Sequence, residues 1–237
     1  MNIYNKSYYK RLVEKSLKSS QEMVPILIDW SKPKTVLDLG CGVGTWLHTF
    51  KKMGVETIYG FDGEYVNKSQ LLIPQSSFTP VDLSKQMPKI VKVDLAMSLE
   101  VAEHLPEKMA DQVVAYLTAC SDRVCFGAAM EFQGGSGHIN EQNQSYWVKK
   151  FLAKGYLPTR LIQEKLWSNN NVEVWYRQNT ILYCKCSDSE VLKDVNPLSF
   201  DVVHPELFKL KFKPYAWIDR AKSGLKNWVF AALSKIE

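Results

Sequence analysis

The sequence predicts a doubly wound α/β fold, in which a mostly parallel seven-stranded sheet is closed by an antiparallel strand. Three observations predict it. Short apolar runs recur between helical stretches, the first run ends in a glycine-rich turn that opens a helix, and later runs end in acids. The 237 residues suit one core with elaborations, read as a single domain over 1–237: an N-terminal helical cap (1–33), a core (34–187) and a C-terminal extension (188–237). With 46% hydrophobic and 23% charged residues, and no polar low-complexity tract, wholesale disorder is excluded.

Between Tyr4 and Trp30, Leu12, Val13, Leu17, Met23, Val24, Leu27 and Ile28 recur at helical spacing, which predicts helices packed before the first strand. TVLDLG, ending at Gly40, is a short run of the buried-strand type, and the residues from Thr45 to Met53 continue it as a helix. ETIYGFD (56–62) reads as a second strand, and PVDL, around Asp82, as the end of a third. VDLAMSLE (93–100) gives a fourth, a helix from Pro106 to Ala119 follows, and RVCFGAAM gives a fifth.

After Met130 the run EFQGGSGHINEQNQ is glycine-rich and polar, as expected of a long functional loop. A helix from Ser145 to Lys154 stops at Gly155, in the position where a left-handed residue ends helices. VEVWYRQ and NTILYCKC are then assigned as an antiparallel pair closing the sheet. From Pro214, residues Trp217, Ile218, Ala221, Leu225, Trp228 and Val229 show helical periodicity, expected to cap the core, to join subunits or to touch a membrane.

A formal charge of +5 favours an anionic substrate or partner. Apart from Lys209, Lys211 and Lys213 the basic residues are scattered, which speaks for a solvated face and against nucleic acid as the partner. The polar N-terminus lacks the apolar core of a signal peptide and no run reaches membrane-spanning length, so a cytoplasmic protein is expected. Five cysteines without a CxxC spacing describe reduced structural thiols.

The strand leading into Asp38-Leu39-Gly40-Cys41-Gly42-Val43-Gly44 supplies what a nucleoside cofactor needs. Its glycines allow a tight turn and close approach, and the next helix points its N-terminus at the ligand. A dinucleotide fingerprint would need glycine at 45; Thr45 stands there, which disfavours a dehydrogenase. Asp62 closes the second strand, where a carboxylate accepts both ribose hydroxyls, and Asp82 is placed to meet an adenine amino group.

VLDLGCGVGTW (36–46), the acid of YGFD, VDL and SLEVAEHL (98–105) resemble, in order and spacing, the signature segments of class I S-adenosylmethionine-dependent methyltransferases, which have a Rossmann-like fold. The resemblance implies S-adenosylmethionine as cofactor, with Asp38, Gly40 and Gly42 around the methionine part and Gly44, Thr45 and Trp46 also binding the cofactor. It places Asp62 at the ribose, Asp82 and Leu83 at the adenine, and Leu99 near the ring. GSGHINEQNQSYW and WYRQN are similar to a bacterial subgroup that modifies glycans and specialised metabolites.

Methyl transfer from a sulfonium is an in-line displacement, so the protein positions the acceptor and helps to remove its proton. His138, in the polar loop, is a candidate general base, and Tyr146 and Arg177 are candidates for the acceptor pocket, Arg177 by gripping a phosphate or carboxylate. If Glu100 to His104 form a helical turn, Glu100, Glu103 and His104 share one side. With His138 they resemble the ExxEH-plus-His set that small-RNA 2′-O-methyltransferases and some quinone-pathway O-methyltransferases use to hold a divalent ion such as Mg or Mn. In other relatives Glu100 touches the cofactor and His104 only lines the pocket. The expected activity is O-methylation of a small polar acceptor. An RNA 3′ end, or a noncatalytic cofactor-binding subunit, is the alternative.

Overall fold

The computed structural model describes residues 6–209. It falls into two compact units, Met1–Val202 and Val203–Glu237. Of the second, residues 205–209 are helical, with the Glu206 amide donating to His204 Nδ1 at 3.1 Å. The tail helix expected from Pro214, and Lys211 and Lys213, lie outside the described residues.

In the first unit the sheet has seven strands: β1 Thr35–Leu39, β2 Thr57–Asp62, β3 Phe78–Pro80, β4 Leu95–Leu99, β5 Arg123–Gly127, β6 Tyr156–Thr159 and β7 Ile181–Lys185. Their order is β3-β2-β1-β4-β5-β7-β6, and β7 runs antiparallel to both its neighbours, as the sequence predicts for the closing strand. The helices are α1 Lys6–Ser31, α2 Thr45–Lys52, α3 Ala110–Cys120, α4 Gln144–Ala153, α5 Leu161–Leu166, α6 Val174–Asn179 and α7 Ser189–Lys193.

Strand periodicity sorts the core into two layers. Leu37, Leu39, Ala96, Val124, Phe126, Ile181 and Tyr183 point to one face, where Val113, Val114 and Leu117 of α3 and Trp147, Val148 and Phe151 of α4 cover them. The alternate positions, Val36, Leu95, Met97, Leu99, Cys125 and Leu182, meet Met23, Val24 and Leu27 of α1, Leu47 and Phe50 of α2, and Ile162 and Leu166 of α5. Asp38 shares the period of Val36, and so projects into the layer containing α1 and α2.

Three sequence expectations change. The N-terminal helices are one helix, which passes through Pro25 because that residue lies on its exposed face, where water can satisfy the carbonyl that loses its partner. VEVWYRQ is not a strand: Glu173 opens α6 with extended backbone, and the buried polar Arg177, Gln178 and Asn179 all find partners there. β7 instead pairs with β6, whose Pro158 is tolerated because β6 is the sheet edge. No helix among the described residues is long and apolar enough to cross a membrane.

Candidate active site

The glycine turn and the acids after β1 and β2 meet at the carboxyl end of the parallel strands. Gly40 has φ 85°, and a Cβ there would stand 2.2 Å from a Val101 methyl, so both backbone and space demand glycine. At Gly42, by contrast, a Cβ would meet nothing within 4 Å: the turn faces open space. The Gly40 and Cys41 amides both donate to Phe61 O, at 2.7 and 3.1 Å, and the Gly42 amide donates to Asp62 Oδ2 at 2.6 Å, locking the turn to β2.

A cavity of about 150 Å³ opens there, lined by Asp38, Gly40, Gly42, Thr45, Trp46 and Leu99 and roofed by Leu12, Val13 and Ser16 of α1 and Tyr176 of α6. Trp46 and Tyr176 meet edge to face at 5.0 Å. Asp38 is 2% exposed, and its Oδ2 is buried without a hydrogen-bond partner. Burial, helped by the Asp62 charge, pushes its pKa up to about 8. An orphaned carboxylate oxygen aimed into a cavity beside open glycines fits a cationic, amine-bearing ligand. The larger hollow of about 290 Å³, around Asp122 and Cys184 to Ser187, lies at the opposite end of β5, away from the edge where α/β sheets bind ligands.

The α1 roof is tied down by side chains. Lys15 pairs with Glu173 at 2.9 Å, Ser16 Oγ meets the Tyr176 hydroxyl at 3.0 Å, and Ser19 Oγ accepts the Glu173 amide at 3.0 Å. Asn169 and Asn171 reach Glu22 at 2.9 and 3.2 Å.

Of the remaining cofactor candidates, Leu83 is buried, and Asp82 lies two residues beyond β3, exposed. Its carboxylate takes Ser84 Oγ at 2.6 Å and Lys85 Nζ at 2.8 Å; these hydrogen bonds, led by the one from Lys85, hold its pKa down at about 2. Gly44 caps α2 with a left-handed backbone.

Beyond β4 the chain does not make the continuous helical turn expected. Glu100 adopts φ 57°, an unusual value for a glutamate, and Ala102–His104 form a single 3₁₀ turn. Glu100 Oε1 accepts Asn179 Nδ2 at 2.9 Å and Oε2 accepts Gln133 Nε2 at 3.4 Å, while burial raises its pKa to about 7 against those bonds. Glu103 is fully buried, both its carboxyl oxygens lack hydrogen-bond partners, and burial, followed by the Glu100 charge, raises its pKa well above the usual range.

The polar loop folds back on this segment. Glu103 O accepts the amides of Ile139 and Asn140 at 2.9 and 3.0 Å, which brings His138 to His104, ring centroids 4.8 Å apart. His138 Nδ1 is 2.7 Å from Glu141 Oε1 and His104 Nδ1 is 3.2 Å from Gly137 O. If each Nδ1 carries the proton toward its oxygen partner, both Nε2 atoms keep a lone pair for a proton or an ion. Desolvation lowers the His104 pKa. Ligand atoms of Glu103, His104 and His138 all lie within 4.8 Å of one another, whereas the Glu100 carboxylate is held by Asn179 and Gln133.

Three site residues carry sequence signals too weak to single them out: Glu141, three positions after His138, and Gln133 and Asn179, which fix Glu100. Neither acceptor candidate lines the cavity. Tyr146 is on α4 with Lys150 4.6 Å from its ring centre, and Arg177 is buried in α6, donating to Trp167 O at 2.8 Å.

Residues 7–122 match a family described as a methyltransferase domain. No curated protein matches the sequence. Among solved structures, an O-methyltransferase family protein from Burkholderia thailandensis superposes with TM-score 0.53 at 12% identity, covering 78% of this chain and 61% of its own, so this chain spans under two thirds of that protein. Magnesium protoporphyrin IX methyltransferase from Synechocystis PCC 6803, with bound SAH, gives 0.52 at 15% identity, covering 77% of this chain and 88% of its own. The methyltransferase domain of a bacterial Hen1 gives 0.50 at 18% identity, covering 72% of this chain and 98% of its own. At these identities the likeness is one of fold.

Proposed function

We propose that this chain, whose residues 7–122 match a methyltransferase domain family, is a class I, S-adenosylmethionine-dependent enzyme that methylates a hydroxyl oxygen of a small polar acceptor. The acceptor class is a sugar, a nucleotide-linked sugar or another hydroxylated or phosphorylated metabolite, and the +5 charge favours an anionic one. The cofactor supplies an electrophilic methyl on a sulfonium.

The observation that carries the reading is His138. A hydroxyl must lose its proton as its oxygen takes the methyl, and His138 is a base oriented by Glu141 at 2.7 Å beside the segment that follows β4. Asp38 holds the amine of the methionine part, Asp62 the ribose, and Trp46 and Tyr176 wall the cavity. Glu100, pushed up to about 7, is the second proton carrier at this edge. The test is radiolabel transfer from S-adenosylmethionine to a panel of hydroxylated metabolites. Calorimetric binding of S-adenosylhomocysteine with no product from any acceptor would leave a noncatalytic cofactor-binding subunit instead.

The second reading adds a divalent ion, favoured by the three ligands within 4.8 Å and by the orphaned Glu103 oxygens. Held by Glu103, His104 and His138, it would act as a Lewis acid that lowers the acceptor pKa. This version also makes an RNA 3′-terminal 2′-hydroxyl the alternative acceptor. Full activity in excess chelator disposes of the ion, and activity insensitive to salt disposes of the RNA.

A further inference from the structure

The Asp62 carboxylate, which the proposed function assigns to the ribose, already has company. Its Oδ2 accepts the Gly42 amide and its Oδ1 the Gly63 amide, each at 2.6 Å, and the Tyr65 hydroxyl also donates to Oδ1. A carboxylate oxygen has two lone pairs, so Oδ1 is full and Oδ2 keeps one place. A ribose diol needs one place on each oxygen. Its first hydroxyl can take the opening on Oδ2; the second can reach Oδ1 only where the phenol now sits.

Two features make that phenol removable. The Tyr65 residue is 85% exposed although its hydroxyl reaches a carboxylate on a residue only 5% exposed, so the ring stands largely in solvent, outside the packed core. Position 63 also has to be glycine for the ring to be there: a Cβ on Gly63 would lie 2.1 Å from Tyr65 Cε1 and 2.5 Å from Cδ1. The backbone of Gly63 is outside the left-handed region, so an alanine would fit the chain, and the three atoms nearest its methyl group all belong to the ring.

We propose that Tyr65 is a displaceable stand-in for a ribose hydroxyl: its phenol occupies Asp62 Oδ1 in the empty protein and is exchanged for the diol when the nucleoside binds. This rests on the cofactor reading above. The exchange trades one O–H···carboxylate bond for another, so Tyr65 lowers the affinity for nucleosides while keeping the buried carboxylate satisfied in their absence.

Calorimetric titration with S-adenosylhomocysteine tests it on the full chain in wild type, Tyr65→Phe and Gly63→Ala. Removing the competing donor, or pushing its ring away with a methyl group, should each tighten binding by about three- to ten-fold. Both variants retain the Gly42 amide bond and the backbone donor at 63. Equal or weaker binding in Tyr65→Phe overturns the proposal, whatever Gly63→Ala does. If none of the three proteins binds S-adenosylhomocysteine, the cofactor reading itself falls; binding of equal strength in all three removes only the role of Tyr65.

Discussion

The two ends of the site are built differently. Around Asp38 and Asp62 the geometry comes from neighbours in sequence and adjacent strands: a glycine turn at 40–44 and amides bonded to Phe61 O and Asp62. Around His138 it comes from pieces far apart in the chain, since Glu100 is held from Asn179 and Gln133, and Glu103 carries the backbone of Ile139 and Asn140. The first end is a backbone cradle with few ways to vary. The second is a side-chain assembly on a loop, where change leaves the sheet alone, as expected if one scaffold is to serve many acceptors.

If that division is sound, damage at one end should spare the other. The largest effect is expected from His138→Ala, which should cut radiolabel transfer by about a hundredfold or more while S-adenosylhomocysteine affinity holds. A parallel loss of affinity in calorimetry would show that the ends are not separable. Asp38→Asn should do the reverse, weakening S-adenosylhomocysteine by roughly ten- to a hundredfold through loss of a charged partner.

Protons sharpen the same contrast. Burial keeps Asp38 protonated up to about pH 8, and a bound ammonium favours its carboxylate. Binding should therefore release a proton below that pH, and affinity should climb as pH rises to about 8 and then level off. Calorimetry in buffers of different ionisation enthalpy measures the release, which Asp38→Asn should abolish.

Smaller effects follow at the second layer. Glu141→Gln should lower turnover about tenfold, since it weakens the group that orients His138 without touching the reacting atoms. Smallest of all, Lys15→Ala removes one partly exposed ion pair of the roof and should cost under about 1 kcal/mol in denaturant unfolding. An equal loss of cofactor affinity would mean that α1 contributes more than cover.

The division also explains what the sequence reveals. TVLDLG and the glycines after it are legible because strand period, turn conformation and ligand access all act on the same seven or so residues, and the acid of ETIYGFD follows from strand polarity alone. VEVWYRQ misleads because its alternating aromatic and β-branched residues fit a strand, while the side chains of Gln178 and Asn179 bond to Gln133 and Glu100, far away in the chain, which no local pattern reveals. YLPT escapes notice because Pro158 disguises an edge strand. ExxEH is visible as a motif, yet the continuous helical turn that would carry it does not form: Glu100 turns left-handed, and only Glu103 and His104, on a single 3₁₀ turn, come together with His138.

The ties that hold the α1 roof join residues 147 to 160 positions apart, such as Glu22 with Asn169 and Ser16 with Tyr176. On the ribosome, the first helix therefore waits for most of the polypeptide to emerge before its polar partners exist. Closing so long a loop is entropically expensive, so this roof should be among the last parts of the unit to settle. A truncated product ending before Val174 would carry a complete glycine turn but would lack Tyr176, and with it one wall of the chamber.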